Sequence, residues 1–505
     1  MEKDIMRQVF AILGVCFFLG CQQGDGHGEC SSTQKVKKPN IIYILTDQWR
    51  TSSLGYAGNP DIKTPHLDKF AQESVNFINA VSVTPVCTPH RAALLTGRFP
   101  TTTGMIVNDI YLPSEELTMA EIYKEAGYNT AYYGKWHLDG HGRQNNVLAE
   151  RRQGFDYWKA LECSHAYNKM AYYDNDDPEM KYWEGYSPFA ITEDVKKYLT
   201  NHANDSDPFL LFLAIGTPHY PHESAPRKYK QMYPKDSLTI PPNVRPELHE
   251  RTRLELQGYY AHGTATDEAI GGVLAKIKEL GLWDNSIIVF SADHGEMMGA
   301  HGVKPFVKQL AWDESIRVPF LVRYPSIDNN EGAVVNAPLT TPDVLPSLLS
   351  LSELEIPESI QGDDLSELMQ NPNPQTDRTA LVMNAAPFGA NYFDPEYRGI
   401  RTKQYTYVST LEGGALLFDN LRDRFQMDNL INNPDYKKLQ EDLDKKLKVE
   451  LAEIGDEFKS REYYMEKWGL EFDMSRRAIN WWDNTDGCMV QSPMAATNSK
   501  KNLNQ

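Results

Sequence analysis

Three short stretches of the chain are apolar almost without interruption: Asn40 to Thr46, Pro208 to Ala214 and Ser286 to Ser291. Runs of that length without polar alternation predict strands covered on both faces of a sheet. Each run leads into polar residues, namely Asp47-Gln48, Thr217-Pro218-His219 and Asp293-His294. Between the runs lie amphipathic stretches at helical spacing, notably Leu117 to Glu125 and Tyr259 to Leu280. This alternation predicts an α/β fold: a large, mostly parallel or mixed sheet between helices. In such a sheet ligands sit beyond the carboxyl ends of the strands, where these polar residues fall.

The pattern changes in two places. From about Arg143 to Thr192 it is dense in Tyr, Trp, Asn and Asp and carries little periodicity. Long loops above the sheet are expected there. Their aromatics suit either stacking on sugar rings or packing against one another. His165, Tyr167, Asn168 and Tyr186 are the candidate sugar-facing residues. After the Pro- and Asn-rich break 370–375, four short strand candidates follow: Thr379 to Asn384, Tyr397 to Thr402, Tyr405 to Ser409 and Gly414 to Phe418. A charged helix from about Asp435 to Lys448, with Pro434 ahead of it, comes next. These predict a smaller C-terminal α+β unit with an antiparallel sheet over 376–485, after a main domain over 39–375. Residues 486–505 read as a tail.

The N-terminus adds an address. Met6-Arg7 precede the apolar run Val9 to Gly20, too short to span a bilayer as a stable helix and of signal-peptide form. Phe18-Leu19-Gly20-Cys21 looks like a bacterial lipoprotein cleavage box, with Phe18 where a smaller aliphatic residue is usual. The expectation is a signal peptide over 1–20, lipidation of Cys21 and a polar tether over 21–38. A di-acyl anchor would hold the protein on a membrane, facing the periplasm or the cell surface. Simple secretion to the periplasm and a retained anchor are the alternatives.

The net charge of -18, from 51 basic and 69 acidic residues, argues against nucleic-acid binding, because no broad positive field is available to displace counterions. An anionic substrate must be met by local positive charge. Of six cysteines, three lie in the leader and tether, and Cys87, Cys163 and Cys488 are too scattered for a disulfide framework.

Cys87 opens the run Cys87-Thr88-Pro89-His90-Arg91, a turn leading into a helical pattern. A group there sits over a helix N-terminus, which favours anions. Asp47 and Asp293, at equivalent strand ends, either cap helices or share a cation, since paired carboxylates need one. With Gln48 and His294 they form an oxygen-rich set suited to Ca²⁺ or Mg²⁺ better than to zinc, although His294 weakens the exclusion of a transition metal; Ca²⁺ is expected ahead of Mg²⁺, with Cys87 alongside. Arg91, Lys135 and Lys308 could clamp a tetrahedral anion. His137 and His219 are candidate proton carriers.

These motifs in this order resemble the type I, formylglycine-dependent sulfatases of the cysteine type, including bacterial polysaccharide sulfatase lipoproteins. The resemblance runs from about Pro39 to Leu430. It rests on Cys87-Thr88-Pro89-His90-Arg91 with Thr96-Gly97-Arg98, Asp47-Gln48, Gly134-Lys135-Trp136-His137, Thr217-Pro218-His219, Asp293-His294-Gly295, Lys308 and the Glu314 to Pro319 segment. It implies an alkaline-phosphatase-like fold and conversion of Cys87 to formylglycine by a separate maturation enzyme. It further implies that the hydrated aldehyde attacks sulfur, forms a covalent sulfate ester and expels sulfate by internal elimination. Asp47, Gln48, Asp293 and His294 would then hold the cation, with the residue 87 oxygen on it. Arg91 and Lys135 would orient residue 87, His219 with Lys308 would protonate the leaving oxygen, and His137 would take the hydrate proton. Gln48 stands where a second aspartate is frequent, and His294 where asparagine is frequent.

The substrate expected is a sulfated glycan, foremost an algal polysaccharide such as ulvan, with a glycosaminoglycan as the alternative. A phosphonate or phosphodiester hydrolase of the same superfamily, and a non-enzymatic binding lipoprotein, are the competing readings.

Overall fold

A computed structural model describes residues 38–480, apart from 326, 328, 329 and 373–375. The signal peptide, Cys21, the tether before Lys38, Cys488 and the 486–505 tail lie outside the described residues. So does the expected domain boundary at 375.

Ten strands form one mixed sheet. At its centre Asn40–Asp47 runs parallel to Phe209–Pro218 on one side and Ser286–Ala292 on the other. All three are buried from end to end, as uninterrupted apolar runs require. Asn129–Lys135 extends the parallel set beyond Phe209–Pro218. Phe320–Arg323 adds an antiparallel strand next to Ser286–Ala292. The parallel strands therefore deliver Asp47, Lys135, Pro218 and Ala292 to the same edge.

Two expectations need correction. The region 143–192 is not a set of long loops: Tyr157–Leu161, Ala171–Asp174 and Lys181–Tyr182 continue the sheet, and Ser187–His202 is a helix. Tyr157–Leu161 and Ala171–Asp174 alternate between buried and half-buried positions, so their polar members hid the strand pattern. Trp158 goes inward, stacking on Tyr132 at 5.3 Å, and the Arg152 guanidinium lies over its ring at 5.4 Å. The long helix runs from His249 to Glu279, ten residues earlier than Tyr259. Its first turns face inward through Thr252 and Glu255, which carry no apolar signal.

The C-terminal part follows the expected pattern. Ala380–Asn384, Tyr397–Arg401, Tyr405–Thr410 and Gly413–Asp419 form an antiparallel sheet in chain order. Helix Lys437–Glu453 lays Leu443, Leu447 and Leu451, spaced by one turn, against it. The Met383 N–H donates to Val83 O at 2.6 Å, tying this sheet to the segment just before Cys87.

Candidate active site

The edge where the parallel strands end is a buried polar cluster. Cys87 is the first residue of helix Cys87–Thr96, and every residue of that helix is buried. The helix therefore offers its N-terminal N–H groups to the interior and not to solvent. Around the Cys87 sulfur stand Lys308 Nζ at 3.2 Å, His294 Nε2 at 3.3 Å and Lys135 Nζ at 3.4 Å, with Asp47 Oδ1 at 3.8 Å. Burial opposes ionisation of the thiol, but Lys135, Lys308 and His294 outweigh it and hold its pKa well below the ordinary value.

The two strand-end aspartates are joined by cations. Asp47 Oδ2 accepts from Lys135 Nζ at 2.6 Å, and Arg91 Nη2 lies 3.5 Å away. The same Arg91 nitrogen donates to Asp293 Oδ2 at 3.0 Å, while Arg91 Nη1 holds the Lys135 carbonyl at 2.9 Å. Asp293 Oδ1 accepts the N–H groups of Gln48 and His294. Burial works against both carboxylates. Lys135 and Arg91 still hold Asp47 low, whereas Asp293 is pushed up by burial and by the Asp47 charge.

A divalent cation held between the two carboxylates would correct that imbalance. One ligand atom from each of Asp47, Cys87, Asp293 and His294 fits within a 4.8 Å group. Gln48 sits at positive φ beyond the Asn40 strand, and its amide nitrogen donates to Glu296. Its Oε1 is thereby turned inward, 3.3 Å from Lys308 Nζ. Two carboxylates, an amide oxygen and an imidazole fit a hard divalent cation.

Lys308 joins the remaining groups. Its ammonium is 3.4 Å from His219 Nε2 and 3.2 Å from His294 Nε2. His219 Nδ1 is 2.8 Å from the Tyr220 carbonyl, so Nδ1 carries the proton and Nε2 accepts from Lys308. Burial first, then the His165 and Lys308 charges, hold His219 well below the ordinary imidazole range.

The four candidate sugar-facing residues divide. His165 is half-buried and stacks on His219 at 4.3 Å with ring planes 10° apart, which places it at the site. Tyr167 is buried, and its hydroxyl donates to Gly216 O at 2.9 Å. Tyr186 shares its hydroxyl with His262 Nδ1 at 2.5 Å, and exposed Asn168 donates to Ser224 O at 2.9 Å. Tyr167 thus braces the end of the Phe209 strand, Asn168 the segment after it and Tyr186 the long helix, each bonding the protein itself.

Sequence reasoning missed Asp109, Arg143 and Glu296. Glu296 orients Gln48. Asp109 Oδ1 lies 3.0 Å from His137 Nε2, and Arg143 grips both Asp109 oxygens at 2.9 Å. The one available signal was the pair Asn108-Asp109 inside the otherwise apolar Met105 to Leu112.

Comparison with known proteins agrees with this geometry. Residues 39–354 match the family model "Sulfatase", and residues 299–453 match "N-sulphoglucosamine sulphohydrolase, C-terminal". An ulvan-active sulfatase of Formosa agariphila is 63% identical over 461 residues, covering 91% of this chain and 90% of that protein. An endo-4-O-sulfatase of Bacteroides thetaiotaomicron is 30% identical, covering 84% and 94% respectively. A solved structure from work on glycosaminoglycan metabolism in Bacteroides thetaiotaomicron superposes with a TM-score of 0.75 at 28% identity, covering 87% of this chain and 99% of that one.

Proposed function

The chain belongs to the sulfatase family and is a sulfatase, and on that premise we propose that it removes sulfate from an ulvan-type polysaccharide or its oligosaccharides, with residue 87 as nucleophile. The observation that carries the glycan is the 63% identity to an ulvan-active sulfatase across nearly the whole of both chains. The reaction is supported by the convergence of Cys87, two carboxylates and three cations in one buried cluster.

Cys87 is the precursor of a formylglycine made by a maturation enzyme; hydrated, it supplies an oxygen that attacks sulfur and a second hydroxyl for release. A Ca²⁺ ion held by Asp47, Gln48, Asp293 and His294 would neutralise the crowded carboxylates and favour the deprotonated nucleophile. The chain's own side chains do the rest. Arg91 fixes Asp47 and Asp293 relative to the Lys135 strand end. Lys135 and Lys308 flank the position where the sulfuryl oxygens gather charge. Lys308 also hands a proton through His219 Nε2 to the departing sugar oxygen, since neutral His219 has its acceptor nitrogen facing that ammonium. His137 takes the hydrate proton in the release step. His165, stacked on His219, borders the sugar.

The Val9 to Cys21 pattern supports export and lipidation at Cys21; mass analysis of the native N-terminal peptide should find two or three acyl chains, and a free N-terminus beyond residue 21 would overturn the anchor. Among the described residues, no helix is long and apolar enough to cross a membrane.

The test of function is desulfation of defined oligosaccharides from ulvan, carrageenan and glycosaminoglycans, with matched phosphate diesters alongside and products located by NMR. Sulfate release from ulvan fragments is expected. Activity confined to glycosaminoglycans would move the substrate to that class, and activity confined to small aryl sulfates would sink the glycan reading.

A further inference from the structure

The geometry points to Asp109, held by Arg143, as a positioning residue that fixes which nitrogen of His137 faces residue 87. The inference rests on the proposed role of His137 in the release step and assigns that role a specific atom.

His137 is buried, sits at positive φ just past the Asn129 strand, and has two distinct ring nitrogens. Nε2 is 3.0 Å from Asp109 Oδ1, and Arg143 clamps that carboxylate through Nε and Nη2, each at 2.9 Å. The His137 and Arg143 contacts overcome burial and hold Asp109 well below the usual carboxylate range. A carboxylate has no proton to give, so in the neutral ring the proton stays on Nε2 and donates to Asp109. The other nitrogen, Nδ1, is buried and has no hydrogen-bond partner among the described residues. An acceptor left open in a buried site is costly unless it has work to do. The ring lies beside residue 87, because the His137 carbonyl accepts from Thr88, the next residue, and the Cys163 and Cys87 thiols both bear on it.

The same short segment also holds the nucleophile. The Thr88 N–H donates to Asn108 Oδ1 at 3.0 Å, and Thr88 Oγ1 donates to the His137 carbonyl at 2.8 Å. Asn108 and Asp109 thus fix the start of the Cys87 helix and the His137 ring as one unit. In the release step Nδ1 accepts the proton of the remaining hydroxyl on residue 87. The O–H electron pair closes the C=O bond, and the C–O bond to sulfate breaks, so sulfate leaves with that bonding pair. Nε2–H stays on Asp109 throughout. Without Asp109 the ring samples the other tautomer, in which Nδ1–H cannot accept.

Two measurements test this. In protein carrying Cys87→Ala, which needs no maturation and no turnover, selective ¹⁵N-histidine spectra recorded at a pH high enough to keep the ring neutral should show His137 protonated on Nε2. Asp109→Asn should mix the two tautomers. A mixed population in the parent, or none in Asp109→Asn, overturns the assignment whatever the substrate proves to be. In the matured enzyme, Asp109→Asn should keep the first-turnover burst of alcohol while steady-state turnover falls on the order of 10- to 100-fold. Quenched samples should carry sulfate on residue 87 by mass. Arg143→Gln, which loosens the carboxylate without touching His137, should shift both readouts the same way but less. Combining Asp109→Asn with His137→Ala should cost no more than His137→Ala alone. A merely structural role would instead lower burst and steady state together and give multiplying losses.

Discussion

Lys135 and Lys308 approach the same sulfur from two sides, yet their removal should have opposite consequences. Lys135→Met keeps the stem but takes the ammonium away from Asp47 Oδ2, 2.6 Å distant, where both side chains are 1% exposed. Arg91 at 3.5 Å is then the nearest cation left to Asp47. Breaking one side of a buried pair typically costs about 3 to 5 kcal/mol, and the residual Arg91 contact favours the lower end. Among the described residues Lys308 has no carboxylate within salt-bridge distance; its partners are Cys87, Gln48 Oε1, His219 and His294. Lys308→Met should therefore change stability by less than about 1 kcal/mol. Its catalytic cost should be far larger, because an ammonium beside the leaving oxygen and the sulfuryl group is worth about 3 to 4 kcal/mol, or a few hundredfold in kcat. The assay pairs thermal unfolding in chelator with kcat on a sulfated substrate. Added Ca²⁺ should restore part of the Lys135→Met loss, since a cation on Asp47 replaces the missing charge, and should leave the Lys308→Met midpoint in the same relation to wild type. Equal destabilisation by the two substitutions, or near-normal turnover in Lys308→Met, would refute this division of labour.

Removing divalent cations should lower the unfolding midpoint, because burial and the Asp47 charge leave ionised Asp293 disfavoured, and Asp293→Asn should abolish the response to added Ca²⁺ in a calorimetric titration. Acid should destabilise the fold through His262, which burial and neighbouring His222 pull down to about 3 from an ordinary value of 6.5. The unfolded chain binds that proton first, so this contribution is fully present above pH 6.5 and is lost as pH falls towards 3, by up to about 1.4 kcal/mol per pH unit; His262→Gln should flatten the acid limb of a midpoint-against-pH curve. Gly134 lies at φ 102° within the strand that ends at Lys135, and a Cβ there would overlap the Ala214 carbonyl oxygen; Gly134→Ala should cost more than about 2 kcal/mol or yield insoluble protein, read by soluble expression and unfolding midpoint.

The centre of the fold was legible because its signal is thermodynamically loud. Strands buried on both faces must be apolar throughout, so Asn40–Asp47, Phe209–Pro218 and Ser286–Ala292 announced themselves and delivered Asp47, His219 and Asp293 to one edge. The strands over 157–182 were illegible because their burial alternates and their aromatics resemble loop residues. The start of the long helix was hidden because Thr252 and Glu255 carry its inward face. At the site, residues at strand ends were findable and their supports were not. Asp109, Arg143 and Glu296 act through another side chain, and only the fold brings them to it. Tyr167 and Tyr186 show the converse, since an aromatic-polar composition suits a sugar contact and a hydrogen-bonded brace equally well.

The most direct test follows residue 87 itself. Peptide mass mapping of protein matured in its native host should find an aldehyde in place of the Cys87 thiol. Rapid quenching during turnover of a sulfated oligosaccharide should place sulfate on that residue. Full turnover with an unmodified thiol at residue 87, or with no sulfate ever found there, would contradict the account.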